Sequence, residues 1–403
     1  GRPQVLSDRV HGLFPDLDQL QIDTWVGEVL ATGQRIEPLL ERLRAQLQML
    51  ERHLQGWVEE VAQEQREQRR YLSRSLIECW QRSALEEARQ RPEPTELWWS
   101  QMGARTGGLP DLPEQVRFRA VAVLSLRQMG ISALPDGFLR AFGNLRVLEL
   151  PGNELTQLPM HLQSLRRLQC LDLTRNRITL NPAQCAILAS CEQLNYLNLS
   201  ENPLGRVFSV SAMTDLTELR LQDTEIEALP YGVLNCSRLH TLDVRNNRIA
   251  ELPTGFFHAR VWGEGRVWLH GNPLSAEQAQ ALQTALSLPL PFEVPQGPGT
   301  FPRMRWLDAI APPSRDDLGS VWALVEAHDG SEPFFELLNG LTQTADFRSP
   351  AGARDLGDRV LIMLQAMDED AGLRTELFAN AQAVTCQDSV ALRSVSYTHL
   401  TLP

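Results

Sequence analysis

Residues 145–159 read Leu-Arg-Val-Leu-Glu-Leu-Pro-Gly-Asn-Glu-Leu-Thr-Gln-Leu-Pro. Leucines at 145, 148 and 150, an Asn at 153, and apolar residues at 155 and 158 form a unit that recurs at a period of 20 to 30 residues. Downstream copies are Leu168-Leu171-Leu173-Asn176-Ile178, Leu194-Leu197-Leu199-Asn202-Leu204, Leu216-Leu219-Leu221-Thr224-Ile226 and Leu239-Leu242-Val244-Asn247-Ile249. Weaker terminal copies are Val121-Leu124-Leu126-Met129-Ile131 and Val267-Leu269-Asn272-Leu274. Each copy is a short strand whose leucines are buried only when a neighbouring copy stacks on it. The Asn then lies inside the coil, where its amide can satisfy backbone groups that the curve leaves unpaired.

The pattern defines a leucine-rich repeat solenoid over 116–286. Alternate strand residues face its concave side. The central column across that face is Ser125, Glu149, Asp172, Asn198, Arg220, Asp243 and Trp268. Arg127, Pro151, Thr174, Ser200, Gln222, Arg245 and His270 stand beside it; Val123, Val147, Cys170, Tyr196, Glu218, Thr241 and Arg266 form a third column. Glu149, Asp172, Tyr196, Arg220, Asp243, Arg245 and Trp268 are the candidate substrate-binding residues, with Tyr196 and Trp268 as aromatic anchors for a protein partner.

Outward from the repeats, residues 1–115 read as a helical region. Ile36, Leu40, Leu43, Leu47, Leu50, Leu54, Trp57 and Val61 make a heptad seam, and Leu72, Leu76, Cys79, Trp80 and Leu85 mark a second helix stopped by Pro92 and Pro94. These helices are expected to pack on each other as the tail of a larger helical domain. A Pro-rich linker fills 287–302. Five apolar stripes follow, beginning at Trp306, Val321, Phe334, Val360 and Leu373, so 303–395 reads as an all-α domain. The fold class is an α/β leucine-rich repeat solenoid flanked by an N-terminal α-helical region and a C-terminal all-α domain.

A net charge of -12 excludes a phosphate-binding face as the dominant surface, so no nucleic-acid partner is expected. No apolar run is long enough for a membrane span. The six cysteines fit no zinc spacing, and no metal or cofactor is expected.

After the last stripe comes Val384-Thr385-Cys386-Gln387-Asp388-Ser389. A repeat array, a helical domain, and Cys-x-Asp after a helix carrying Leu373, Arg374, Phe378 and Ala381 resemble the NEL-type bacterial effector ubiquitin ligases, the IpaH, SspH and SlrP group. Phe334 to Leu341, Thr344, Phe347 and Arg359-Val360 match earlier in the domain, and the helical region upstream resembles the large Pseudomonas-type members. The resemblance implies that Cys386 and Asp388 are catalytic. Cys386 would take ubiquitin from a ubiquitin-charged host conjugating enzyme as a thioester, and a Lys of a host protein substrate would then attack it. It also implies secretion from a bacterium into the host cell cytoplasm. A carboxylate beside a thiol disfavours the thiolate, so Asp388 would act on the incoming amine, with Arg374 or Arg393 compensating the thiolate. Many relatives carry Arg directly after the Asp, where this chain has Ser389.

All 38 basic residues are Arg, and Lys is absent. A GC-rich genome favouring Arg codons and a protein that handles activated acyl groups both fit that composition. The chain opens Gly-Arg-Pro without Met, which reads as a fragment or processed chain. The ligase domain is expected to be truncated, and Ser396 to Pro403 reads as a non-native tail over 396–403.

Overall fold

The computed structural model describes residues 2–93, 95–256, 266–286, 300–342, 347 and 350–385. The chain divides into two compact units, Gly1–Phe292 and Glu293–Pro403.

The first unit opens with four helices, α1 (Arg2–Leu13), α2 (Gln19–Ala31), α3 (Ile36–Glu59) and α4 (Gln63–Arg89). A capping box starts α2: the Asp18 carboxylate accepts the Gln21 backbone N–H, and the Gln21 side chain accepts the Asp18 N–H in return. The heptad seam buries Leu40, Leu43, Leu47, Leu50, Leu54 and Trp57 on α3, against α4.

Strands follow in strict sequence order as one parallel eight-stranded sheet: β1 (Leu97–Met102), β2 (Val121–Arg127), β3 (Val147–Glu149), β4 (Cys170–Asp172), β5 (Tyr196–Asn198), β6 (Glu218–Arg220), β7 (Thr241–Asp243) and β8 (Arg266–Trp268). Short helices α5 (Asp136–Ala141) and α6 (Pro182–Ala189) and tight 3-10 turns return the chain between strands, and α7 (Ala276–Leu286) follows the last one.

β1 departs from the sequence expectation. It falls within the segment read as helical, yet it pairs along its length with β2 and so starts the sheet one strand before the first recognisable repeat. Its apolar run, Leu97-Trp98-Trp99, lacks the Leu and Asn spacing that identifies the other strands. One continuous apolar core runs from Val10 through the helices and every repeat to Leu269. The four helices therefore cap the open end of the solenoid, the role that terminal repeats of such arrays need filled. Arg69 of α4 ties this cap down. It donates to the carbonyls of Thr106 and Trp57 and lies 4.4 Å over the Trp57 ring, and burial draws its pKa downward against the pull of Glu60.

The asparagine ladder has the predicted form. Asn202 Nδ2 donates to the carbonyls of Leu173, Leu199 and Ser200, at 2.8, 3.0 and 3.2 Å, and Oδ1 accepts the Ile178 N–H at 3.1 Å. Asn153, Asn176 and Asn247 repeat the pattern. Thr224 breaks it. Its hydroxyl lies 2.9 Å from the Leu221 carbonyl, and the Leu204 N–H, with no Asn opposite, turns instead to the Asn202 carbonyl. The residue before each ladder position is left-handed whatever its identity: Gln128, Gly152, Arg175, Glu201, Asp223, Asn246 and Gly271 have φ between 51° and 74°. At Gly271 a Cβ would lie 2.1 Å from Asn246 Oδ1 and 3.1 Å from Asn246 Cα, so a side chain there would force Asn246 to shift.

The second unit is all helical over its described residues: α8 (Thr300–Ala309), α9 (Arg315–Glu326), α10 (Glu332–Leu341), α11 (Pro350–Glu369) and α12 (Ala371–Thr385). The five apolar stripes become these five helices. α8 begins inside the stretch read as linker, and the rest of that stretch, 287–299, lies outside the described residues. Trp322 and Phe335 (ring centroids 4.8 Å apart), Phe334 and Phe378 (5.9 Å) lie at its centre with Trp306, Val360 and Leu364. Asp370 ends α11 and caps α12, its Oδ1 accepting the Leu373 N–H at 3.1 Å.

Candidate functional site

The strand register brings the predicted columns into line. Ser125, Glu149, Asp172, Asn198, Arg220, Asp243 and Trp268 are consecutive partners across the sheet, and so are Val123, Val147, Cys170, Tyr196, Glu218, Thr241 and Arg266. β1 extends both rows with Ser100 and Trp98.

These residues are more buried than a solvated binding face requires. Glu149, Asp243 and Trp268 are 2%, 1% and 2% exposed, and Tyr196 is 3% exposed. Tyr196 and Trp268, the candidate aromatic anchors, are both buried within the face. Asn198 donates to the Tyr196 hydroxyl at 3.2 Å, and the Arg220 guanidinium lies 5.5 Å over the Trp268 ring.

Two charge clusters account for the carboxylates. At one end, Glu149 Oε2 accepts from the Ser125 hydroxyl and from Arg127 Nη2, each at 3.0 Å. Asp172, next in the column, accepts the Thr174 N–H at 2.9 Å. Burial pushes its carboxyl pKa up, the Glu149 charge adds to that, and the Thr174 hydrogen bonds and Arg127 oppose it. At the other end, Arg220 pairs with Glu218 and lies 3.6 Å from Asp243 Oδ2, which Arg245 also clamps from Nη2 at 2.8 Å. Burial acts to lower the Arg220 pKa. The charges of Glu218, Tyr196 and Asp243 and the Glu218 hydrogen bond outweigh it, so the net shift is upward. Glu218 Oε2 is buried without a hydrogen bond.

Glu218 and Arg127 were not among the residues singled out from sequence, although both lie in the columns. The available signal was spacing: Glu218 is two residues from Arg220, and Arg127 two from Ser125, so each pair shares the same face.

Cys386 and Asp388 lie outside the described residues. α12 leads to them, ending at Thr385. Arg374 stands near its start, about 16 Å along the axis from Thr385 at the helical rise. Arg374 also donates from Nη1 to the Met367 carbonyl at 2.9 Å. It therefore joins α12 to the end of α11, while Cys386 and Arg393 lie outside the described residues. Of the family-resembling residues, Phe334, Leu341, Val360, Phe378 and Ala381 are core.

The other five cysteines have the character of packing residues. Cys79, Cys170, Cys191 and Cys236 are buried and Cys185 is half-buried, all as free thiols. Burial pushes the thiol pKa of Cys79 up to about 12 and that of Cys191 to about 11, and raises those of Cys185 and Cys236. A protonated thiol is a poor nucleophile. No helix among the described residues is long and apolar enough to cross a membrane, and those residues hold no group of His, Cys, Asp and Glu suited to a metal.

Comparison with known families matches both regions. Residues 306–399 match the family described as C-terminal novel E3 ligase, LRR-interacting, and residues 119–178 match the leucine rich repeat family. The chain is thus similar to leucine rich repeat proteins over 119–178 and to the NEL family over 306–399. Among curated proteins it is 31% identical over 131 residues to plant intracellular Ras-group-related LRR protein 8 of Oryza sativa subsp. japonica, covering 32% of this chain and 35% of the rice protein. It is 32% identical over 153 residues to Podocan-like protein 1 of Mus musculus, covering 36% of this chain and 27% of that one. The chain thus spans about a third or less of the length of these relatives. Among solved structures, a leucine-rich-repeat protein of Leptospira interrogans aligns at 22% identity and a TM-score of 0.42, covering 53% of this chain and 51% of its own.

Proposed function

We propose that this chain is a cysteine-dependent ubiquitin–protein ligase, secreted by a bacterium into host cells, whose repeats select the substrate. The observation that carries this reading is the match of residues 306–399 to an E3 ligase family described as LRR-interacting, in a chain that places a repeat array before it. The matched segment includes Cys386 and Asp388.

In the proposed reaction the Cys386 thiolate attacks the carbonyl of a ubiquitin thioester on a conjugating enzyme. A new C–S bond forms to Cys386 and the enzyme's thiolate departs. Thiol-for-thiol exchange is close to thermoneutral, so the carrier keeps the acyl group activated. A substrate Lys amine then attacks, the C–N bond forms, the Cys386 thiolate leaves and the amine loses a proton. Asp388 is assigned to that second step, orienting the amine and accepting its proton. Burial raises the thiol pKa of Cys79, Cys185, Cys191 and Cys236 and makes each a poorer nucleophile, which supports the assignment of Cys386.

The test is a thioester assay with ubiquitin-charged conjugating enzyme. The wild-type chain is expected to form a reductant-sensitive ubiquitin adduct that Cys386→Ala abolishes. An Asp388→Asn variant is expected to keep the adduct and discharge it slowly. A wild-type chain that forms no adduct would leave a non-catalytic repeat adaptor, its α1–α4 serving as a cap, as the better reading.

A further inference from the structure

We infer that the surface of this chain is built without acceptors for the acyl group it carries, so that a charged ligase cannot consume its own ubiquitin on itself. The inference rests on the ligase reading above and adds to it a reason for the chain's composition.

Lys is among the commonest residues of globular proteins, and here all 38 basic positions are Arg. The structure explains Arg at some of them. Arg69 needs several donors for the carbonyls of Trp57, Thr106 and Gly107. Arg245 grips both oxygens of Asp243, and Arg220 bridges Glu218 and Asp243 beneath the Trp268 ring. A single ammonium could not replace those planar forks.

Elsewhere the structure gives no such reason. Arg42 and Arg44 on α3, Arg74 on α4, Arg315 on α9 and Arg354 on α11 are exposed, with no hydrogen bond or ion pair from their side chains among the described residues. Exposed pairs such as Arg70 with Glu67 and Arg359 with Asp355 use a single nitrogen each. At such positions Lys and Arg differ little in stability. They differ in chemistry. A Lys amine, with a pKa of about 10.4, keeps a small neutral and nucleophilic fraction at neutral pH, whereas a guanidinium stays charged and does not attack.

That difference matters for a protein carrying its own thioester. An amine on the same chain is tethered, and its effective concentration is on the order of millimolar, so it competes with a substrate that must first bind. Attack by such an amine would form an isopeptide C–N bond, release the Cys386 thiolate and shed the amine proton. Each such event consumes one activated ubiquitin without touching the substrate. Replacing every Lys with Arg removes this branch and keeps the positive charge.

The experiment introduces Lys where the structure tolerates it: Arg42→Lys, Arg74→Lys and Arg354→Lys, singly and combined in the full chain. Each is incubated with ubiquitin-charged conjugating enzyme, with free lysine as a soluble acceptor in a parallel arm. The wild type is expected to discharge onto free lysine and to carry no reductant-resistant ubiquitin. The Lys variants are expected to acquire reductant-resistant, discretely heavier forms that disappear in the Cys386→Ala background. Two results overturn the inference while leaving the ligase reading intact. One is a wild type that becomes modified as readily as the variants; the other is a set of variants that discharge onto free lysine yet stay unmodified, which would leave codon usage as the account of the composition. Failure to form any thioester sinks the ligase reading, and this inference with it.

Discussion

Two ladders of polar side chains cross the same parallel sheet, and they differ in what they satisfy. The asparagine ladder lies inside the turns and pairs with backbone: Asn202 alone holds three carbonyls and one N–H. The concave ladder pairs side chain with side chain, joining Glu149 to Arg127, Arg220 to Glu218, and Arg245 to Asp243. The first recurs in the same form at Asn153, Asn176, Asn202 and Asn247, with Thr224 the exception, because its partners are main chain. The second changes from repeat to repeat because each charge answers only its neighbour. Identity of position therefore marks structure in this array, and variety of position marks the surface available for specificity.

The sharpest way to break that contrast is at Asn202. Asn202→Ala strips the buried Ile178 N–H and the Leu173 and Leu199 carbonyls of this partner, while the Ser200 carbonyl keeps the Arg175 N–H. Each unsatisfied buried group costs about 1 to 3 kcal/mol, and water entry offsets part of the sum, so a loss of about 3 kcal/mol or more is expected in denaturant unfolding. Thr224→Ala should cost clearly less, since the Leu204 N–H has already turned to the Asn202 carbonyl. Equal losses at the two sites would mean that the ladder is not what holds the turns.

That ladder was fully legible in the sequence, because its leucines and Asn recur at fixed spacing and its partners are backbone. The columns of the concave face were legible too, since alternation along a strand fixes which residues share a face. The pairing within those columns was not. Whether Arg220 meets Glu218, Asp243 or Trp268 depends on side-chain conformers and on the closeness of adjacent strands. The burial of Tyr196 and Trp268 follows from that crowding. β1 escaped detection because Leu97-Trp98-Trp99 buries its surface without the repeat's spacing; α1 and α2 fell inside the region read as helical, but their apolar residues make no sustained heptad that would mark them singly. The Cys-x-Asp motif at Cys386 was legible only through its resemblance to a family, since three residues carry no periodicity.

The charged ladder is tested next at Arg220. Arg220→Met leaves Glu218 and Asp243 buried, with only Arg245 to answer them, and removal of one partner from a buried pair costs about 3 to 5 kcal/mol. The exposed side of Arg245 softens this, so about 3 kcal/mol is expected from thermal or denaturant melting. The double variant Glu218→Leu/Arg220→Met removes the orphaned carboxylate as well and should be more stable than Arg220→Met alone. A double variant no better than the single would show that Glu218 is content without its arginine.

The smallest effect is expected at Asp172, and its sign is opposite to the others. Burial and the Glu149 charge raise the carboxyl pKa in the folded chain above its ordinary value. The folded state then binds a proton more readily than the unfolded state. The group favours folding most below its ordinary pKa, and that contribution is lost as pH rises through the interval up to the raised pKa. Ionising Asp172 therefore costs more in the folded chain than in the unfolded one. Asp172→Asn should accordingly raise stability at pH 7 and flatten the decline measured as pH rises above the ordinary carboxyl pKa. The hydrogen bond that positions the turn need not be lost. Asn198, the next residue in the same column, accepts the Ser200 N–H at 3.0 Å just as Asp172 accepts the Thr174 N–H at 2.9 Å. An amide thus already does at one strand what the carboxylate does at the next. If Asp172→Asn instead lowers stability at pH 7, the charge itself is being used there, and the Glu149–Asp172 end of the face becomes the stronger candidate for contact with a cationic partner.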